Sequence, residues 1–119
     1  MSRYRMLAGY NAWCNVRLYE AAATVPDADY RADRGVFFKS LHGTLNHLLV
    51  ADRIWMKRFT GAGDMPPLAP ALDHFFNHQT HHRGQAHALL TAILGNDRAP
   101  SFDLIVYQRE TGVGVKSMA

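Results

Sequence analysis

A single cysteine, Cys14, among 119 residues excludes an intramolecular disulfide. Its place in an apolar, helix-patterned stretch reads as a buried thiol rather than a nucleophile, which fits a reducing compartment. Long apolar runs are missing too. No window approaches the roughly 20 residues needed to cross a bilayer, so no membrane role is expected. Met1-Ser2-Arg3-Tyr4-Arg5 has no apolar leader core or small-residue cleavage site, so the expected location is the cytoplasm. Charge of one sign is equally scarce: 13 Lys and Arg stand against 10 Asp and Glu, scattered through the chain, for a net +3. Without a basic stripe, no nucleic-acid partner is expected.

What is present is an ordinary globular balance, 48% hydrophobic and 19% charged, in a length suited to one core. Leu7, Tyr10, Cys14, Leu18, Ala21 and Val25 recur at steps of three and four, predicting a helix over 4–25 that Pro26 and Asp27 close. Residues 27–35 read as a polar loop. A second helix is expected from about Phe37 to Phe59, with Leu41, Leu45, Leu48, Trp55 and Phe59 as its stripe. Residues 60–70, with three prolines and two glycines, read as a linker in which Pro70 suits the first position of the next helix. A third helix is predicted over 71–94, stopped at Gly95-Asn96. Beyond Pro100, residues 101–107 fit either a short helix capped by Ser101 or an extended arm. The expected organisation is one helical domain over 1–110 with a tail over 111–119.

Seven histidines is a high count, and five of them fall between His74 and His87. His78 and His82 are four apart, so on a helix both imidazoles share a face and can reach one ion. That face also carries Ala71, Phe75, Leu89 and Ile93, so the pair points inward. Two imidazoles in an apolar core need partners, supplied either by hydrogen bonds or by a metal. His47, on the stripe of Thr44, Ala51 and Ile54, also faces protein and offers a third ligand. Three histidines leave a coordination position open, as in catalytic rather than closed structural sites. His74 and His81 rank behind as substitute ligands or supporting groups, while His42 and His87 are expected at the surface or an interface. Asp52, five residues after His47, is a weak candidate acid or base, and a salt bridge to an Arg or a hydrogen bond to a ligand imidazole accounts for it better. Trp13 and Trp55 read as core, and Asn11, Asn46 and Asn77 receive no catalytic role.

Tyr10-Asn11-Ala12-Trp13, the run Gly43 to Trp55 with Asn46-His47-Leu48, and Phe76-Asn77-His78-Gln79-Thr80-His81-His82-Arg83-Gly84-Gln85 closely resemble the DinB family of bacterial metalloproteins. The likeness continues through residues 86–91 and 100–104. It implies an all-α helical bundle of the DinB/YfiT-like type, usually dimeric, with nickel or zinc held by one histidine of the second helix and two of the last. His47, His78 and His82 match those positions. Some members resemble metal- and thiol-dependent S-transferases or isomerases acting with low-molecular-weight thiols, so a small-molecule substrate and a transferase or hydrolase activity are the expectation. The alternative is a non-enzymatic protein whose metal stabilises a helical dimer or interaction module, because fold alone does not carry activity. Residues 61–68 stand where the family carries a further helix. Three long helices and a short C-terminal segment then leave an apolar groove for a second copy to complete.

Overall fold

The computed structural model describes residues 3–59 and 68–113. Helix α1 spans Arg3–Ala23, α2 Asp27–Arg31, α3 Leu41–Phe59, α4 Leu68–Leu94 and α5 Leu104–Thr111. The fold is all-α, with three long helices and a short C-terminal one. The linker expected over 60–70 and the helix missing over 61–68 fall largely outside the described residues, as does the tail beyond Val113.

Helix α4 packs against both α1 and α3, whose direct approach to each other is slight. The molecule is accordingly a slab, 42 × 40 × 19 Å. The main core joins Leu18 and Val25 of the first segment to Leu41, Leu45 and Leu48 of α3 and Ala86, Leu89 and Leu90 of α4. Leu18, Leu41 and Leu90 are fully enclosed, each worth roughly 1.5–3 kcal/mol of transfer from water. A smaller cluster, Tyr10, Cys14 and Tyr107, docks α5 on α1. Gly9 permits that approach, since a Cβ there would collide with the Tyr107 hydroxyl.

Four local expectations are corrected. Residues 27–35 are not wholly loop: Asp27–Arg31 forms one helical turn, its first-turn Asp27 held to Arg31 at 3.0 Å. Helix α3 begins at Leu41, not Phe37, because Lys39 takes a left-handed φ of 72° and Val36 pairs with Lys39 in a tight turn. Helix α4 includes Leu68, so Pro70 lies within its first turn, where a missing N–H costs nothing. Of the two conformations open for residues 101–107, the helical one is adopted. Its cap is Asp103 rather than Ser101, with Asp103 Oδ1 accepting from the Ile105 N–H at 2.8 Å.

Candidate metal centre

His47 reaches the centre from the middle of α3, and His78 and His82 reach it from α4 at successive turns. One ring nitrogen of each lies within 4.8 Å of the others. The Nε2 atoms of His47 and His78 are 3.3 Å apart, and the His82 ring centroid sits 4.4 Å from each of the other two. His82 Nδ1 lies 2.8 Å from Gln85 Oε1. An amide oxygen only accepts, so Nδ1 carries the proton and Nε2 keeps its lone pair. His78 Nδ1 is buried without a hydrogen-bond partner.

Burial, with His82 adding its charge, holds the His47 imidazole below its ordinary titration range. His78 is lowered further, to about 4, first by burial and then by His82, His47, His74 and His81. Both are therefore neutral near pH 7, the form in which imidazole donates a lone pair. A set of imidazole donors converging from two helices, with one buried nitrogen unpartnered, fits a divalent cation.

Phe38 covers this group, and the sequence reading missed it. Its ring stacks on His47 at 4.1 Å between centroids and meets His82 edge-on at 5.3 Å. The turn before α3 places it there: the Arg34 N–H donates to the Lys39 carbonyl at 2.7 Å and the Lys39 N–H to Val36 at 2.8 Å. Gly43 allows the approach, because a Cβ at that position would strike the Phe38 carbonyl oxygen. Periodicity carried no signal for Phe38, which lies off the helix it was assigned to.

His74 and His81 are exposed and stand outside the converging group, with rings 5.7 Å from His78 and 4.9 Å from His82. His42 packs edge-on against Tyr30 and His87 against Phe102, both partly exposed. Trp55 is core at 8% exposure, whereas Ile54, expected beside His47, is 45% exposed. Asp52 accepts a hydrogen bond from the Gln79 side chain, and burial raises its carboxyl above the usual range against the pull of Gln79 and Arg83. Its observed hydrogen-bond partner is thus Gln79, not the Arg or ligand imidazole expected of it.

A second polar layer crosses the slab on a neighbouring face of α4. Arg83, 2% exposed, donates through Nη1 to Asn11 Oδ1 on α1 at 2.6 Å and lies over the Tyr10 ring at 5.0 Å. Gln79 joins α4 to Asp52 on α3, so Asn11, Arg83, Gln79 and Asp52 tie the three long helices together. Arg83 shares the apolar step pattern of Ala86 and Leu90, and that signal marks it as buried. Cys14 stays a thiol, its titration pushed up by burial.

A sequence model of the DinB family matches residues 1–70, more than half the chain, and the chain belongs to that family. The match includes His47 but ends before His78 and His82, whose place beside His47 rests on the geometry. No curated protein and no solved structure matches. Among the described residues, no helix is long and apolar enough to cross a membrane.

Proposed function

We propose that this DinB-family chain binds a divalent metal ion, nickel or zinc, through His47, His78 and His82, and uses it in a small-molecule transfer or hydrolysis reaction. The observation that carries the reading is the convergence of three imidazoles within 4.8 Å, one of them with a buried, unpartnered nitrogen. Zinc and nickel both accept such nitrogen donors and leave room for a further ligand. When bound, the ion supplies Lewis acidity, which makes a low-molecular-weight thiol or a water nucleophilic near neutral pH. The chain's own residues act around it. His47 and His78 stay neutral and donate, Gln85 holds the His82 ring in the tautomer that leaves Nε2 free to donate, and Phe38 shields one side of the centre from water.

One observation favours a second reading, a non-enzymatic protein whose metal stabilises the helical assembly. Among the described residues, no carboxylate or thiol joins the converging group, and Asp52 is engaged by Gln79. In either reading we propose a homodimer. The slab leaves Val16 and Tyr19 of α1 and Leu49, Val50, Ile54 and Met56 of α3 exposed, an apolar inventory that a second copy would cover.

Turnover separates the two readings. Protein loaded with zinc or nickel is assayed for transfer of a small thiol to an electrophilic acceptor, alongside the His78→Ala variant. Metal-dependent turnover lost in the variant supports the transferase. Metal binding without turnover, together with a dimeric mass in solution, supports the metal-stabilised assembly.

A further inference from the structure

A cleft of about 330 Å³ opens on the other side of α4 from His78 and His82, lined by Tyr10, Thr80, Arg83, Gly84, His87 and Phe102. Residues 80, 83, 84 and 87 share one helical face, roughly opposite that of 78 and 82. The two sites are therefore separate.

Two independent features mark the cleft. The first is Arg83, a guanidinium buried to 2% exposure with no carboxylate in ion-pair contact among the described residues. Its hydrogen-bond partners are neutral, Asn11 Oδ1 at 2.6 Å and Thr80 Oγ1 at 3.4 Å, and its Nε has none. Asp52 feels its charge from a distance only. A desolvated guanidinium of this kind favours an anion in the adjoining space, and its planar fork matches a carboxylate. The second is Gly84, in the middle of a 27-residue helix, where glycine is unfavourable. A Cβ built on it meets nothing within 4 Å, so no packing among the described residues calls for a glycine there. Its absent side chain keeps the floor of the cleft open beside Arg83.

The walls define the rest of the ligand. Phe102 and the Tyr10 ring are aromatic, and the Tyr10 hydroxyl is spent on the Phe102 carbonyl. Asp103 stands at the rim, its carboxylate committed to capping α5. Its negative charge opposes a doubly charged ligand. We propose that this cleft binds a small organic monocarboxylate with an apolar or aromatic body, the carboxylate toward Arg83 and the body against Phe102. The proposal is independent of the metal.

The test is an amide-resolved NMR titration of the full chain with sodium benzoate, with sodium chloride and inorganic phosphate as controls. Saturable shifts centred on Gly84 and Phe102, specific to benzoate, are expected at millimolar concentration. Gly84→Leu puts a side chain into the cleft from a Cβ position with nothing within 4 Å and improves helix propensity, so it should fold and bind about tenfold or more weakly. Arg83→Met, where circular dichroism shows it folded, should lose binding while the histidine resonances stay in place. No saturable shift, or unchanged affinity in Gly84→Leu, overturns the site. Phosphate binding as tightly as benzoate overturns the monocarboxylate assignment.

Discussion

Acid should weaken the metal-free protein before its carboxylates titrate, and His78 is the main reason. The unfolded chain protonates this imidazole near the ordinary 6.5, whereas the folded protein resists until about 4. Between those values the unfolded state binds the additional proton, so stability falls as pH falls through the window and the loss is complete below it. At about 1.4 kcal/mol per tenfold change the ceiling is about 3 kcal/mol, and partial solvent contact places the expectation at about 1–3 kcal/mol. His47, also lowered, adds in the same direction. Asp52, raised by burial, opposes it, because its carboxyl takes a proton more readily when folded. The assay is urea denaturation with a chelator present, from neutral pH to pH 4, of the wild type and His78→Gln, which cannot titrate. The wild type should lose about 1–3 kcal/mol more than the variant across that range. Parallel curves would refute the reasoning.

Gly43→Ala raises helix propensity by about 1 kcal/mol, yet it should destabilise the protein by about 1–3 kcal/mol, because the new methyl strikes the Phe38 carbonyl. It should also release the Phe38 ring from His47, seen as loss of the ring-current shift on that imidazole. Asp103→Ala should cost about 1 kcal/mol in thermal denaturation and Ser101→Ala distinctly less, since Asp103 caps α5. Leu90→Ala, at a fully buried position, should cost about 2–5 kcal/mol by the same measurement.

The long helices were legible because their apolar positions repeat at steps of three and four, and Tyr10, Cys14, Leu18, Leu41, Leu45, Leu48 and Leu89 are buried as that pattern requires. The spacing of His78 and His82 placed them together on one face, and their meeting with His47 follows from the packing of α3 on α4. Phe38 was illegible because the left-handed Lys39 delays the start of the helix to Leu41, and periodicity says nothing about a turn. Arg83 has no part in the reading from sequence, although its step from Ala86 and Leu90 marks an inward position. Ile54 shows the converse error, an apolar residue on the expected stripe that the slab leaves exposed. Pattern identifies a helix's apolar face, but how far a neighbour covers it depends on the arrangement of all the helices.

The metal centre itself is tested most directly by elemental analysis of purified, untagged protein, wild type against His78→Ala/His82→Ala. The account predicts about one nickel or zinc ion per chain in the wild type and none in the variant. Retention of metal by the variant, or a wild type that takes up neither ion after incubation with both, would contradict it.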